Sequence, residues 1–131
     1  PAVAKKTARE LLERYGLGDF QNHKCEALSK GMGQKVQVLA SIAHDPDLVI
    51  LDEPFSGVDP ISVSEVIKIM VDLKGRGMGI FVTDHNVRET LDVVDRTYII
   101  HDGAVLMEGT PSEVVQHSGV REVYLGDRFS I

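Results

Sequence analysis

The run Leu48-Val49-Ile50-Leu51 passes straight into Asp52 and Glu53 and then into Pro54. Four apolar residues in succession predict a strand buried on both faces, as strands of parallel sheets are. Ligands of such sheets gather at the carboxyl ends of the strands. Asp52 and Glu53 fall at that end. A carboxylate there can hold Mg²⁺ through water, because Mg²⁺ takes few protein oxygens and keeps much of its hydration shell. A second carboxylate beside it can polarise an attacking water. Pro54 and Gly57 then turn the chain away. Taken alone, the same run also fits an ordinary buried strand ending in two solvated acids, so its surroundings decide.

Three further stretches narrow the choice. Leu28-Ser29-Lys30-Gly31-Met32 lies upstream, Ser56-Gly57-Val58-Asp59 directly downstream, and Thr83-Asp84-His85 after a second apolar run. In this order and spacing the four stretches resemble the signature motif, Walker B strand, D-loop and H-loop of an ABC-type ATPase. The resemblance implies an α/β fold, the P-loop NTPase-like ABC ATPase domain, with ATP and Mg²⁺ as cofactors. It also implies roles. Asp52 would hold Mg²⁺ through water, Glu53 would act as general base or water polariser, and His85 would steady the γ-phosphate. Ser29, Lys30 and Gly31 would face the nucleotide of a partner cassette, and Asp59 would couple the two sites across the dimer. One departure stands out. The family pattern is Leu-Ser-Gly-Gly-Gln or Glu; here Lys30 replaces the first glycine and Met32 the polar residue. Lys30 adds a cation directed either at phosphate or at solvent.

In chain order, residues 2–15 read as a helix with Ala4, Ala8, Leu11, Leu12 and Tyr15 inward and Gly16 as C-cap. Lys5, Lys6, Arg9, Glu10 and Glu13 take the wet side. Residues 17–27 read as an irregular linker. Ser29 is a good N-cap for a helix over 31–44, with Val36, Leu39, Ala40 and Ala43 on one face. A helix start offers unpaired N–H groups and a positive dipole end to an anion. Pro46 closes that segment. Asp59-Pro60 opens a helix over 61–75, with Val63, Val66, Ile67 and Met70 inward. Gly79–Thr83 reads as a second buried strand delivering Asp84 and His85 to the same edge as Glu53. A short helix over 86–94 turns Val87, Leu91 and Val94 inward. Asp102-Gly103 joins the strands 98–101 and 104–107 into a hairpin, and a helix follows over 111–118. The expected organisation is a helical subdomain over 1–45, a catalytic core over 46–110 and a helical tail over 111–131.

Composition sets outer limits. The chain has 131 residues, 43% of them hydrophobic, and a formal net charge of -6. That balance lends no support to a nucleic-acid partner, which calls for a basic face. Cys25 is the single cysteine, so no intrachain disulfide can form, and it reads as a small apolar residue in a reduced setting. His23, His44, His85, His101 and His117 show no metal-ligand spacing. No apolar run approaches the roughly 20 residues of a membrane span. Any membrane link is therefore expected through a partner; the resemblance implies transmembrane permease subunits, a peripheral place on the cytoplasmic face of the inner membrane, and pairing with a second nucleotide-binding domain.

No Gly-x-x-x-x-Gly-Lys-Ser/Thr occurs, although ABC ATPases carry that phosphate cradle upstream of the signature. The chain therefore reads as a fragment of a full domain, the alternative being a shortened protein that has lost ATP binding. On either account, sheet edges and core faces should lie uncovered. Within the family, the stretches 52–63 and 83–91 and the tail Val123-Tyr124-Leu125-Gly126 with Phe129 are similar to lipopolysaccharide-export ATPases. Branched-chain amino-acid importers share some of that tail. The rival functions are a non-catalytic interaction module and a DNA-repair or chromosome-structure ATPase head. Retained Asp52, Glu53 and His85 argue against the first. The acidic balance and the lack of coiled-coil heptads argue against the second.

Overall fold

The computed structural model describes residues 2–125. The chain divides into two compact units, Pro1–His85 and Asn86–Ile131. The predicted tail residues Gly126 and Phe129 lie outside the described residues.

The first unit opens with α1 (Ala2–Arg14). Gly16 follows at φ 76°, a conformation that favours glycine and ends the helix. Leu11, Leu12 and Tyr15 are half-buried, whereas Ala4 and Ala8, expected inward, are exposed. Two methyl groups bury too little area to set the roll of a helix. The polar end of α1 does more. Arg14 Nη2 donates to Asp72 Oδ1 at 3.0 Å and the Tyr15 hydroxyl donates to Asp72 Oδ2 at 2.5 Å. The segment expected as irregular holds two short 3₁₀ turns, Gly18–Phe20 and Cys25–Ala27. It also buries Leu17 almost completely. Cys25, expected to behave as an apolar residue, is exposed.

The helix α2 (Lys30–Ile42) starts where predicted, with the Ser29 hydroxyl accepting from Met32 N at 3.2 Å. Its buried face is Gly31, Lys35, Val38, Leu39 and Ile42. Of the predicted face only Leu39 is buried; Ala40 and Ala43 are exposed and Val36 is half-buried. The reason is a charged residue in the core. Lys35, 6% exposed, places its ammonium 3.0 Å from Glu65 Oε2. A buried lysine needs such a partner, and it rotates α2 away from the stripe that apolarity alone selects.

The strands β1 (Leu48–Asp52) and β2 (Gly79–Thr83) pair in parallel, with Leu48 beside Gly79, Ile50 beside Phe81 and Asp52 beside Thr83. The crossover between them is α3 (Pro60–Gly75), the usual way to join parallel neighbours. Asp59 caps it, accepting from Ser62 N at 3.0 Å, and Pro60 occupies its first turn. Val63, Val66, Ile69, Met70 and Leu73 are its buried residues. Ile67, predicted inward, is only half-buried. The strands are not covered on both faces as the apolar runs predict. Val49 and Leu51 are buried, while Leu48 is 57% exposed, Ile50 66% and Phe81 52%. One sheet face rests on the core and the other is bare, as expected for a sheet lacking part of its cover.

The second unit begins with α4 (Val87–Leu91), shorter than predicted. Leu91 and Val93 are buried, and Val87 and Val94 half-buried. The strands β3 (Thr97–His101) and β4 (Ala104–Gly109) form the expected antiparallel hairpin, with a register shift between Ile99 and Ile100. Its turn residues, Asp102 and Gly103, have φ of 49° and 76°, the mirror-image turn that matches strand twist. The single helix expected over 111–118 is α5 (Pro111–Gln116), then α6 (Ser118–Val120), then a wide turn at Arg121–Leu125. Thr110 and Glu113 form a capping box at the start of α5. Leu91, Ile99, Val114 and Val120 make the core of this unit.

Candidate active site

β1 and β2 end side by side, and their carboxyl ends carry the polar groups. Hydrogen bonds lock this end. Glu53 N donates to the Thr83 carbonyl at 2.7 Å, carrying the parallel ladder one step past β1. The Thr83 hydroxyl donates to Asp52 Oδ1. Glu53 then adopts φ 51°, uncommon for a residue with a side chain and a mark of constrained sites. The turn is closed by Ser56 N donating to the Glu53 carbonyl at 3.1 Å.

In this conformation Glu53 Oε2 lies 2.6 Å from His85 Nδ1. Both side chains reach solvent, at 45% and 68% exposure. Asp84, between Thr83 and His85, is different. Its side chain is fully buried. Asp84 Oδ2 accepts from Phe55 N at 2.9 Å, and Oδ1 lies 3.8 Å from His85 Nδ1. Glu53, Asp84 and His85 thus offer ligand atoms all within 4.8 Å of one another. Histidine spacing in sequence gave no hint of this, because two of the three groups are carboxylates and the grouping joins two strands.

The remaining predicted residues gather elsewhere in the unit, where α2 meets the start of α3. A Cβ on Gly31 would lie 1.9 Å from Ser62 Oγ and 3.3 Å from Asp59 Oδ2, so only glycine lets these helix starts approach. A Cβ on Gly57, at φ 61°, would lie 2.1 Å from Lys30 Nζ. The Lys30 ammonium therefore rests over the turn after Glu53, on a side chain that is exposed to solvent. Asp59 keeps its carboxyl below the usual range, chiefly through the bonds it accepts from Ser62. Ser29 is occupied as a helix cap. The structure thus brings Glu53 and His85 together at the sheet end, and Lys30, Gly31 and Asp59 together at the α2–α3 contact. A small cleft lined by Gln34, Gln37, Ser41, Ile50 and Asp52 runs between α2 and β1.

Two participants were given no role of their own in the sequence. Thr83 and Asp84 sit inside the stretch that carries the resemblance, but periodicity gives no sign that the first serves Asp52 or that the second is buried. A carboxylate directly after an apolar strand was the available signal for Asp84.

Residues 3–56 match the ABC transporter family, and residues 104–130 match the branched-chain amino acid ATP-binding cassette transporter family. The lipopolysaccharide export system ATP-binding protein LptB of Haemophilus influenzae is 44% identical over 131 residues, all of this chain and 54% of that protein. A solved ATP-binding cassette of an ABC transporter, in its ADP conformation, superposes with a TM-score of 0.85 at 24% identity, covering 95% of this chain and 50% of that one. Over almost its whole length the chain is similar to the ATP-binding cassettes of ABC transporters. The LptB of Escherichia coli strain K12 is 41% identical over 124 residues, 95% of this chain and 52% of that protein. The chain spans about half the length of the curated relatives it matches. The expected P-loop NTPase fold is the one that the solved cassette shares with the chain. Among the described residues, no helix is long and apolar enough to cross a membrane.

Proposed function

We propose that the protein hydrolyses ATP as the energy-supplying subunit of an ABC transporter that exports lipopolysaccharide or a related lipid. It would act as a head-to-tail pair of cassettes against transmembrane permease subunits, peripheral on the cytoplasmic face of the inner membrane. The observation that carries the hydrolytic part is the Glu53–His85 pair, 2.6 Å apart at the carboxyl end of the parallel strands. The relatives named LptB support the transport class.

Within this reading the residues divide the work. Glu53, reaching solvent and fixed on a constrained turn, draws the proton from an attacking water. His85 holds that carboxylate in place and presents its second ring nitrogen toward the γ-phosphate. Asp52, braced by Thr83, would hold Mg²⁺; the donor set of carboxylates and one hydroxyl suits a hard cation. When bound, Mg²⁺ neutralises charge that develops on the phosphates. Ser29 and Gly31 clamp the partner cassette's nucleotide, and Asp59 couples the two sites. Functionally, residues 1–45 serve as part of the helical subdomain, 46–110 as the core and 111–131 as the tail.

The test is E53Q in the full-length protein. The amide keeps the size of the side chain and a hydrogen bond to His85 but cannot take a proton. ATP-driven dimerisation should persist in size-exclusion chromatography while phosphate release falls 100-fold or more, within the usual range for a lost general base. Turnover at the wild-type rate would overturn the role of Glu53. The match of residues 104–130 favours one second reading, amino-acid import. Reconstituted ATPase activity stimulated by branched-chain amino acids, and not by lipopolysaccharide, would decide for it.

A further inference from the structure

We infer that Asp84 is a positioning residue that sets Glu53 for attack on water; this rests on the hydrolytic reading of Glu53 above. Asp84 is the buried member of the site, its side chain fully covered, in contrast to Glu53 and His85. A buried carboxylate is costly without hydrogen bonds, and one of the bonds that hold it is the 2.9 Å contact from Phe55 N. Phe55 lies two residues after Glu53, and both Pro54 and Phe55 are buried. The turn from β1 is thus pinned at Glu53 N to the Thr83 carbonyl and at Phe55 N to the Asp84 carboxylate. Both anchors come from the end of β2. Glu53 sits between them at φ 51°. A conformation of that kind is costly for a residue with a side chain and persists only where its surroundings enforce it. With the second anchor gone, Glu53 can relax toward ordinary backbone angles, and its carboxylate leaves His85. Asp84 touches no reacting atom in this scheme; it acts through the turn.

The role separates from charge. Asp84→Asn keeps an oxygen that accepts from Phe55 N, whereas Asp84→Ala removes the acceptor. In the full-length protein, D84A is expected to lower kcat for ATP 10- to 100-fold with KM within twofold, and D84N to stay within threefold of wild type. Because the effect passes through Glu53, the two positions should not add. In an E53Q background, D84A should reduce residual phosphate release less than threefold, read with radiolabelled ATP. Loss in D84N equal to that in D84A would overturn the inference, as would an equal fold-loss from D84A in both backgrounds. If D84A fails to fold, Asp84→Ser takes its place in the same cycle, keeping a polar atom but drawing it back from Phe55. Wild-type turnover by E53Q alone would instead overturn the reading of Glu53.

Discussion

Asp72 shows how one side chain can join two elements. It receives the Tyr15 hydroxyl and the Arg14 guanidinium from the end of α1. The hydrogen bond from Tyr15, followed by the Arg14 charge, holds the Asp72 carboxyl below its usual range. Burial, then the bond to Asp72, pushes the Tyr15 hydroxyl up. For a carboxylate whose pKa is depressed by folding, the added stability is present above the unfolded value and is lost as pH falls through the folded one. Tyr15→Phe should therefore lower stability by about 1 kcal/mol or less near neutrality, the scale of one partly exposed hydrogen bond. Its deficit should shrink at acid pH, as Asp72 protonates in wild type. Urea unfolding of wild type and variant at neutral and acid pH checks both. A deficit that does not change with pH would mean that the contribution of the hydroxyl does not depend on the charge of Asp72.

At the scale of elements, the contact between α2 and α3 is the tightest place in the first unit. Gly31 admits Ser62 and Asp59, Lys30 covers Gly57, and Lys35 meets Glu65. Gly31→Ala would put a methyl carbon 2.2 Å from Ser62 Cβ, an atom that moves only with its helix. The helices must part, at a cost of about 1–3 kcal/mol for overpacking. A lowered midpoint in thermal unfolding, restored in part by Gly31→Ala with Ser62→Gly, is the expected result. Such contacts also mark where sequence reading stopped. The caps at Ser29, Asp59 and Gly16, both strands, the hairpin and the Glu53–His85 edge were legible, because each depends on residues close in sequence or on a known motif order. The buried face of α2 was not, because it is set by Lys35 and Glu65, thirty positions apart in sequence, and a lysine reads as solvent-facing. The position of the Lys30 ammonium was hidden for the same reason: its neighbour, Gly57, belongs to another element. Asp84 lay in plain view beside His85, but only the fold shows that its carboxylate is spent on the Phe55 amide.

At the scale of the whole chain, a bare sheet face and an absent motif lead to one prediction. Leu48, Ile50 and Phe81 form an exposed apolar surface, the kind that promotes association. No glycine-rich phosphate loop with its lysine occurs among the 131 residues. Isothermal titration of these residues with Mg-ATP should therefore detect no binding in the micromolar range. Clear micromolar binding would require a phosphate cradle built from Lys30 and the start of α2. The same samples should show concentration-dependent light scattering that falls when Ile50 and Phe81 are both replaced by lysine.

The bonds traced at the sheet end also bear on how the protein is made. Glu53 and His85 are 32 residues apart, and the backbone bonds that align their strands run from Asp47 to Thr83. The entropy of closing such a loop grows only with the logarithm of its length. The traced bonds that bring Glu53 and His85 face to face all lie within residues 47–85. On the ribosome, the residues that make those bonds are therefore all joined to the chain before Asn86 is added.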